Sequence, residues 1–588
     1  MAALLLNTTA VYAEQAKADV SNRIKTSETI VLGYRADALP FSYRNTQGQA
    51  TGYAVEFCKA AVKVIENRLG IKRLNIVWKE VNNTNRFSEI EKGNVDLECS
   101  DTTNTIERHK LVDFGPTYFV GNTAIGVNNN SPIRTFNQLQ GQTIAVARNT
   151  TFVETLKQFR VTTGISFKES LEPSYQASIN AVIKGAAAAT ILDRLILSSH
   201  SKQNNSQNLR LLKQNIGTEA YAAILKKGDA TFRQLITDAF TTVMSSGKAI
   251  NIYDQWFTQP IPGTGIDYNL PISKELKALF TVQRPEAISN ISHIQIFSNP
   301  SSSGEELIHA FSQMEMLTGD RQGSIAMTPQ QTAAIKALVE PYLDNSAMIQ
   351  RANGRRYNKS SFVPAYTDNF TLSDVQITKP SNGIVVARYN KQSHEALPDS
   401  GTLMSLNKTP RLTVFRWDPN TWNWLVLSHA SFNTPLASIC NTKPIEQSPL
   451  QSNISSEDYK LGIRLFEQYL KQLRAKNLQP VVDPEVQFQS ASGRGATSFK
   501  ENRSTIGTFE GTTYKDVVIT RNNDILVLSL NVKHKRGIYQ GAIEIKNDYN
   551  PILWTFRQNT NKEWKLIAAA TFAPAKNLPS GTKCVPAQ

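Results

Sequence analysis

The sequence lacks, beyond its first residues, any stretch that approaches the roughly 18 consecutive apolar residues of a membrane-spanning helix. It is also poor in cysteine, and its four cysteines in 588 residues are Cys58, Cys99, Cys440 and Cys584. No pair has CxxC spacing, and the seven histidines do not cluster with them. So few cysteines exclude a disulfide-framework protein, and their spacing predicts no zinc site. We predict neither a metal nor a cofactor.

Runs of basic residues are absent as well. Lys and Arg number 64 against 49 Asp and Glu, which gives a formal net charge of +15. These charges are scattered along the chain rather than grouped beside stacking aromatic residues, as they are in proteins that bind single-stranded nucleic acid. We therefore predict a basic globular protein that does not bind nucleic acid.

The N-terminus differs from the rest of the chain. Residues 1–13 contain the apolar segment Ala2–Leu6 and small residues before Glu14. This pattern is typical of a secretory signal that has lost its basic start, and a frayed apolar terminus is the alternative. We expect residues 14–27 to be a flexible leader and the protein to be exported to the periplasm.

Residues 28–285 alternate short β-branched runs with segments of helical periodicity. This alternation predicts an α/β fold with a mainly parallel sheet, in which binding groups lie past the carboxyl ends of strands. Polar residues do follow the predicted strands, and the candidates are Arg35, Arg86, Asp101, Thr103, Arg108, Thr150 and Asp193.

These residue types suit a zwitterion. Arginine binds carboxylates through paired N–H donors, helix N-termini also bind anions, and an aspartate suits an ammonium group. Each residue has a simpler interpretation by itself. Arg108 could form a surface salt bridge, and Asp193 or Thr150 could cap a helix.

Residues 29–285 resemble the periplasmic polar amino-acid-binding proteins of ABC-type solute-binding systems, and within them the glutamate/aspartate-binding branch. Matching stretches are GYRADALPFSY (33–43), FNQLQGQTIAVARNTT (136–151) and, most specific, DLECSDTTNTIERHKLVDF (96–114). The resemblance implies a type II periplasmic-binding-protein fold that binds an amino acid, most of all an acidic one, and hands it to an inner-membrane ABC permease. It implies a receptor and not an enzyme.

The same resemblance implies two lobes joined by crossovers near residues 120–125 and 219–223. Lobe 1 is predicted at 28–121 and 222–285, and lobe 2 at 122–221. Cys58 and Cys99 lie in a helix and at the end of a nearby strand of lobe 1. These two cysteines could form a disulfide, or they could remain as two buried free thiols.

By the family pattern, Arg108, Thr103 and Thr150 hold the ligand α-carboxylate. Asp193 takes the α-ammonium group, and Arg35 with Arg86 faces a side-chain carboxylate.

Three residues depart from the acidic-ligand pattern, namely Asn83, Asp101 and Tyr175. The carboxylate of Asp101 opposes an anionic ligand unless an arginine such as Arg148 neutralises it. Glutamine or another polar amino acid therefore stays an alternative ligand.

Beyond a predicted linker at 286–304, the second half contains a repeat. Asp374–Thr378 (DVQIT) is echoed by Asp516–Thr520 (DVVIT), and Trp424 and Phe432 by Trp564 and Phe572, at nearly equal spacing. We predict two α+β modules at 305–445 and 455–588, each with opening helices and a curved antiparallel sheet.

This pattern resembles, weakly, the nuclear-transport-factor-2-like superfamily, whose cone-shaped fold does not assign a function. Tyr366, Asp368 and His429 are candidate catalytic residues of an alternative enzymatic function, although Ala569 replaces His429 in the second module. A further alternative is a ligand sensor or adaptor without transport. A dimer formed through these modules is a further expectation.

Overall fold

The computed structural model describes most of the chain, and the described residues are 20–202, 208–261, 263–281, 292–314, 328–351, 356–364, 366–396, 408–432, 455–475, 477–490, 495–496, 508–533, 536–538 and 550–572. The predicted signal, Cys440 and Cys584 lie outside them. The chain divides into two compact units. Unit 1 extends to Ser301 and includes the short segment Asn420–Trp422, and unit 2 comprises the rest from Ser302 onward.

Unit 1 is built, within its described residues, on one eight-stranded sheet and a small three-stranded one. Its strands are β1 (Thr29–Arg35), β2 (Asp37–Ala38), β3 (Ser42–Arg44), β4 (Ala50–Thr51), β5 (Asn75–Val81), β6 (Leu97–Glu98), β7 (Val112–Asn128), β8 (Thr143–Ala147), β9 (Lys168–Glu172), β10 (Ala189–Asp193) and β11 (Leu209–Lys226). The order in the large sheet is β5-β1-β6-β11-β7-β10-β8-β9.

Helices cover this sheet. They are α1 (Val20–Ser27), α2 (Tyr53–Leu69), α3 (Arg86–Glu91), α4 (Thr151–Thr163), α5 (Tyr175–Ile183), α6 (Arg194–Lys202), α7 (Ala230–Ser245), α8 (Lys248–Phe257), α9 (Lys274–Thr281) and α10 (Ser292–Phe297). The pairs β1–β5, β1–β6, β8–β9 and β8–β10 are parallel. The mainly parallel α/β arrangement expected from the alternating pattern is therefore present in each half of the sheet.

Two long antiparallel strands, β7 and β11, connect these halves. They pair from Val112 and Lys226 at one end to Asn128 and Leu209 at the other. The carboxyl end of β11 pairs with β6. The edge of β7 that faces away from β11 pairs with β10. Both strands pass through the positions predicted for the crossovers, and the lobe boundaries themselves stay a prediction.

The interior of predicted lobe 1 is aromatic. Phe41, fully buried, lies 4.8 Å from Phe119 and 5.1 Å from Tyr221 between ring centroids. Tyr53 donates a hydrogen bond from its hydroxyl to the carbonyl of Tyr118 at 2.7 Å. These rings fix β7 and β11 against α2, so the strands that bear site residues have a rigid base. Cys58 of α2 is disulfide-bonded to Cys99 at the end of β6.

Residues 20–27 are helical, so the predicted flexible leader is wrong for this segment. Ile24 is fully buried, the N–H of Val20 donates to Asp229 at 2.8 Å, and Arg23 pairs with Asp96 at 2.5 Å. Burial of one apolar side chain and two polar contacts to distant residues compensate the ordering of the helix. The predicted linker at 286–304 likewise contains α10.

Unit 2 contains, among its described residues, two six-stranded sheets with the same order. The first repeat has β12 (Leu343–Arg351), β13 (Arg356–Tyr357), β14 (Tyr366–Ser381), β15 (Ile384–Ala396), β16 (Thr409–Asp418) and β17 (Asn423–Ser431), ordered β13-β12-β17-β16-β15-β14. The second has β18 (Val482–Ser490), β19 (Gly495–Ala496), β21 (Thr513–Asn522), β22 (Ile525–Lys533), β24 (Asn550–Gln558) and β25 (Trp564–Thr571), ordered β19-β18-β25-β24-β22-β21.

A separate pair, β20 (Thr508–Glu510) with β23 (Arg536–Ile538), and the helices α11 (Gly304–Met314), α12 (Pro329–Val339) and α13 (Ser456–Arg474) complete the described part of unit 2. The expectation of a wholly antiparallel sheet is wrong in one respect. In each repeat the first strand pairs in parallel with the last, β12 with β17 and β18 with β25. Each sheet is therefore mixed.

The two repeats agree in local detail as well as in strand order. Asp374 and Asp516 both have a left-handed backbone, with φ of 52° and 54°. Each accepts a hydrogen bond at 2.7 Å from an asparagine of the neighbouring strand, Asn390 and Asn531 respectively. An aspartate tolerates this conformation better than most residues, which explains why the echoed segments begin with it.

The sheets of the two repeats pack against each other within unit 2. Their shared core joins Val414 and Leu412 of one repeat to Val527 and Leu553 of the other. The equivalent residues Phe432 and Phe572 stack at 4.5 Å. Contact between equivalent residues is what an approximate twofold relation requires. The repeats thus form one compact unit rather than two separate modules.

We predict that the Cys58–Cys99 bond stabilises unit 1. Replacing both cysteines with alanine should lower the free energy of unfolding by about 2–4 kcal/mol, because the unfolded chain gains the freedom of the loop that the bond closes. Urea denaturation of the full chain measures this. A reducing agent should destabilise the natural protein and leave the double variant unchanged. Equal sensitivity of both proteins to the reductant would contradict the prediction.

Candidate functional site

The candidate residues converge where strands of unit 1 end and helices begin. Arg35 ends β1, Glu98 ends β6 and Asp193 ends β10, whereas Arg86 begins α3 and Tyr175 begins α5. All five are buried. Parallel strands bring their carboxyl ends to one edge of a sheet, so residues distant in sequence meet there.

Arg35 is fully buried and lies among carboxylates. Its Nε and Nη2 donate to Asp37 at 3.2 and 2.7 Å, and its Nη1 lies 3.8 Å from Asp101. The guanidinium also lies over the ring of Tyr175, 4.1 Å from the centroid. The Nη1 atom has no hydrogen-bond partner among the described residues. The charge of Arg35 is therefore balanced while one of its donors stays available.

Asp101 is held on both oxygens. Its Oδ1 accepts from the hydroxyl of Ser100 and its Oδ2 from the hydroxyl of Tyr175, both at 2.8 Å. The arginine beside it is Arg35, whereas Arg148, proposed from the sequence as its neutralising partner, is exposed. The carboxylate of Asp101 is thus compensated from within the site.

Arg86 is buried and has few partners. Its Nη2 donates to the carbonyl of Asn149 at 3.4 Å, and its Nε has no partner among the described residues. Asn149 has a φ of 59°, a left-handed conformation that asparagine tolerates, and its carbonyl accepts this bond. Burial and the neighbouring charge of Arg35 lower the pKa of Arg86. A lowered pKa reflects a cation that the site leaves incompletely compensated.

Arg108 is the third cation of the site. Its Nη1 donates to the carbonyl of Thr103 at 2.9 Å. The guanidinium groups of Arg86 and Arg108 lie over the same ring, that of Phe87, at 4.9 and 5.4 Å. Burial and the charge of Arg86 lower the pKa of Arg108 to about 10. In the part of unit 1 that the structure describes, no carboxylate forms a salt bridge with either Arg86 or Arg108.

Glu219, on β11, was not among the residues predicted from the sequence. It is buried and accepts hydrogen bonds from the hydroxyls of Thr103 at 2.5 Å, Thr151 at 3.0 Å and Thr123 at 3.3 Å. Burial raises its pKa above the ordinary value, and the hydroxyl of Thr103 opposes that shift. A single protein carboxylate thus occupies hydroxyl donors from both predicted lobes.

The structure brings Thr151, and not Thr150, to Thr103, with 3.4 Å between the two hydroxyl oxygens. The hydroxyl of Thr150 donates instead to the carbonyl of Ala147 at 2.6 Å. Thr150 precedes α4 without a side-chain cap, so the N–H groups of the first turn remain available to an anion. Backbone donors rather than the Thr150 side chain suit a carboxylate here.

Asp193 is fully buried beneath the start of α6. Its Oδ1 accepts from the N–H of Leu195 at 2.7 Å, and its Oδ2 accepts from the hydroxyl of Tyr221 at 2.8 Å. Gly121 allows this approach, because a Cβ there would lie 2.4 Å from Oδ2. Burial raises the pKa of Asp193 to about 7. Among the described residues it forms no salt bridge, with Arg108 or any other cation.

Asn83 and Glu98 leave polar atoms without partners. Asn83 is 2% exposed, and neither its Oδ1 nor its Nδ2 has a hydrogen-bond partner among the described residues. Oε2 of the fully buried Glu98 likewise has none, whereas its Oε1 accepts from Thr102 at 3.2 Å. Burial raises the pKa of Glu98 to about 7, although Arg86 opposes the shift. Unpartnered buried polar atoms are rare and mark positions where a ligand can bind.

Contacts between the two predicted lobes surround these groups. Tyr175 of lobe 2 contacts Asp101 and Arg35 of lobe 1, and Arg86 of lobe 1 donates to Asn149 of lobe 2. The site is therefore enclosed from both sides. Enclosure excludes water, and charge interactions are stronger in such surroundings than in water.

One signal in the sequence could have identified Glu98 and Glu219, the two acidic residues that were not predicted. Glu98 and Glu219 each interrupt an otherwise apolar or hydroxyl-rich strand that ends up buried. A lone carboxylate within a buried strand is costly unless other groups compensate it. That observation alone could have placed both residues among the candidates.

Of the catalytic candidates of unit 2, only the side chain of His429 lies among the described residues. His429 is buried, and its Nδ1 lies 2.8 Å from the hydroxyl of Thr413. The side chains of Tyr366 and Asp368 lie outside the described residues. No group of three or more His, Cys, Asp or Glu residues within the described part of the chain could hold a metal ion.

Residues 30–259 match the family model of bacterial extracellular solute-binding proteins, family 3. Over 259 residues the chain is 31% identical to the L-glutamate/L-aspartate-binding protein of Pseudomonas aeruginosa. The aligned region covers 44% of this chain and 86% of that protein. The chain is 28% identical over 269 residues to the glutamate/aspartate import solute-binding protein of Salmonella typhimurium, at 46% and 89% coverage. The chain belongs to the family 3 extracellular solute-binding proteins.

This membership confirms the resemblance found in residues 29–285 and the type II periplasmic-binding-protein fold. Among solved structures, an ancestral arginine-binding protein bound to glutamine is 24% identical, with a TM-score of 0.35, and covers 40% of this chain and 99% of that one. The likeness of unit 2 to the nuclear-transport-factor-2-like superfamily stays a prediction. No helix in the described ranges has the length and apolar character needed to cross a membrane.

We predict that Glu98 makes the stability of unit 1 depend on pH. Its folded pKa of about 7 exceeds the unfolded value of about 4.3, so its contribution is greatest below pH 4 and is lost as the pH rises through 7. In Glu98→Gln, the loss of unfolding free energy between pH 5 and pH 8 should shrink by about 1–3 kcal/mol. Asp193 leaves a residual loss, since its pKa is raised in the same direction.

Urea denaturation at both pH values measures this difference. Glu91→Gln is the matched control, because Glu91 is an exposed carboxylate at the end of the short helix α3, seven residues before Glu98 in the chain. It should retain the pH dependence of the natural protein. Identical pH dependence in Glu98→Gln and the natural protein would show that Glu98 does not titrate in this range.

Proposed function

We propose that the chain is an extracytoplasmic receptor for an acidic amino acid, glutamate or aspartate, and that it delivers this ligand to an ABC transporter. Membership of an extracellular solute-binding family supports the amino-acid ligand and the location outside the cytoplasm. The names of the two relatives that share about 30% identity support the acidic ligand.

The charge balance of the site is the observation on which this proposal depends. Arg35 is compensated by Asp37 and Asp101, whereas Arg86 and Arg108 form no salt bridge with any described residue. Arg86 is buried and Arg108 is half-buried, so leaving both without counter-ions is costly, and a ligand with two carboxylates supplies both counter-ions. A neutral amino acid such as glutamine has only its α-carboxylate, so it supplies one counter-ion for the two arginines.

Each role follows from position. Arg108 and the first-turn N–H groups of α4, near Thr103 and Thr151, are proposed to bind the α-carboxylate. Asp193, a buried carboxylate without a salt bridge, is proposed to accept the α-ammonium group. Arg86, with the free donor of Arg35, then faces the side-chain carboxylate, and Asn83 offers both a donor and an acceptor beside it.

Closure of the two lobes would couple binding to delivery. A ligand shifts a conformational equilibrium only through contacts that differ between the two states. Arg86 and Arg108 belong to lobe 1, whereas α4 and Asp193 belong to lobe 2, so a bound amino acid would bridge the two lobes. A permease that contacts both lobes would then distinguish the loaded receptor from the empty one.

We predict that Arg86→Gln changes which amino acid the protein prefers. Loss of a buried charge partner of the side-chain carboxylate should weaken glutamate binding by about 100-fold, whereas glutamine should change by less than about fivefold. Arg108→Ala should abolish binding of both ligands, because both have an α-carboxylate. Isothermal titration calorimetry of the full chain measures these affinities.

Arg148→Gln serves as the control, since Arg148 is an exposed arginine of the same unit. It should bind glutamate with the affinity of the natural protein. Wild-type affinity in Arg108→Ala would refute the α-carboxylate role. Equal losses for glutamate and glutamine in Arg86→Gln would refute acidic specificity through that residue.

A further inference from the structure

The two repeats of unit 2 differ on one face of their sheets. The opposite faces form the shared core between the repeats. The face in question is covered by a helix in each repeat. Phe466 of α13 lies 5.4 Å from Trp554 in the second repeat, and Phe311 of α11 lies 5.2 Å from His429 in the first. The two helix-covered faces are therefore equivalent.

Strand register identifies the equivalent residues. Arg411 pairs with Tyr389 in the first repeat, and Ile552 pairs with Leu530 at the same place in the second. Directly paired residues of neighbouring strands point to the same face of a sheet. At this place a buried arginine and tyrosine of one repeat thus replace a buried isoleucine and leucine of the other.

The next row of the sheet shows the same difference. Thr413 pairs with His429, where Trp554 pairs with Ala569. The imidazole Nδ1 of His429 lies 2.8 Å from the hydroxyl oxygen of Thr413, and this oxygen lies 3.2 Å from the hydroxyl of Tyr389. A connected set of polar groups thus occupies positions that are filled by apolar side chains in the second repeat.

Two further cations lie on this face. Arg351 pairs with Ser431, which also pairs with Arg411, and Lys391 is two residues beyond Tyr389 on β15. Arg351, Lys391 and Arg411 are 5%, 3% and 2% exposed. The Nε atom of Arg351 is buried without a hydrogen-bond partner among the described residues. The equivalent positions in the second repeat are Ser490, Val532 and Ile552.

The fold itself does not require these charges. The second repeat builds the same strands, in the same register, with an apolar core beneath its helix. Burying cations costs free energy that an apolar side chain at the same place does not. Arg411 donates to the hydroxyl of Thr409 and to the carbonyl of Pro410, yet the second repeat builds the same fold without any of the three cations, which favours a role besides folding.

We propose that the helix-covered face of the first repeat binds a small ligand through an oxyanion group, a carboxylate or a phosphate. Arg351 and Arg411 supply planar N–H donors that match either oxyanion, and Lys391 adds a third charge. The hydroxyls of Tyr389 and Thr413 and the imidazole of His429 supply neutral polar contacts beside them. The site lies in unit 2 and is independent of the amino-acid site proposed for unit 1.

Calorimetric titration of the full chain with sodium phosphate, and separately with sodium benzoate, tests this proposal. At least one of the two should bind. Binding of phosphate alone, of benzoate alone or of both identifies which oxyanion the face accepts. Arg351→Ser, Arg411→Ile and Lys391→Val install the residues of the second repeat, so the fold is expected to tolerate them. Each should weaken binding about tenfold or more.

Lys408→Ala is the control, because Lys408 is an exposed cation of the same repeat that pairs with Asp374 at 2.8 Å. It should leave the affinity unchanged. The proposal is overturned if neither anion binds the natural protein. It is also overturned if binding persists unchanged in Arg351→Ser and Lys391→Val, two variants that remove charge from different strands.

Discussion

The guanidinium groups of the buried Arg86 and the half-buried Arg108 have no ion-paired carboxylate in the described structure of unit 1, and the organisation of the site depends on this constraint. The two groups lie over the same ring, that of Phe87, and repel each other. Holding such cations away from water costs free energy, which a rigid surrounding structure and a counter-charge from a ligand can offset. The aromatic core around Phe41 and the disulfide of α2 provide the rigidity, and an acidic ligand would provide the charge.

The carboxylates of the site are arranged so that they do not cancel these two cations. Asp101 and Asp37 compensate Arg35, Glu219 is held by threonine hydroxyls, and Asp193 is held by helix N–H groups and Tyr221. Among the carboxylates, Glu98 most opposes the lowered pKa of Arg86. Burial raises the pKa of Glu98 itself to about 7, however, which reduces its charge at neutral pH. Negative charge is thus present around the site, but none of these carboxylates forms a salt bridge with Arg86 or Arg108 among the described residues.

Much of this architecture follows from local sequence pattern. The alternation of β-branched runs with segments of helical periodicity predicted the α/β arrangement of unit 1, because a helix with one apolar face shows in the local periodicity of the sequence. The family and the fold of unit 1 were predicted from stretches such as 96–114 and are confirmed. The roles assigned to Arg35, Arg86 and Asp193 stay predictions.

What the sequence did not give is long-range geometry. Which threonine meets Thr103 depends on how α4 is placed against β11, and Thr151 rather than Thr150 fills that position. Arg148 was the arginine expected to neutralise Asp101, whereas in the structure Arg35 of a distant strand lies beside that carboxylate. The helix at 20–27 was not predicted, because it is stabilised by contacts with Asp96 and Asp229, which are far away in the sequence.

The most direct measurement is the ligand preference of the unmodified protein, determined by calorimetry with the twenty amino acids at neutral pH. Two uncompensated arginines predict that glutamate or aspartate binds at least about 30-fold more tightly than glutamine or asparagine. If a neutral amino acid bound as tightly as the acidic ones, one of the two arginines would have its counter-charge within the protein, and the central claim would be wrong.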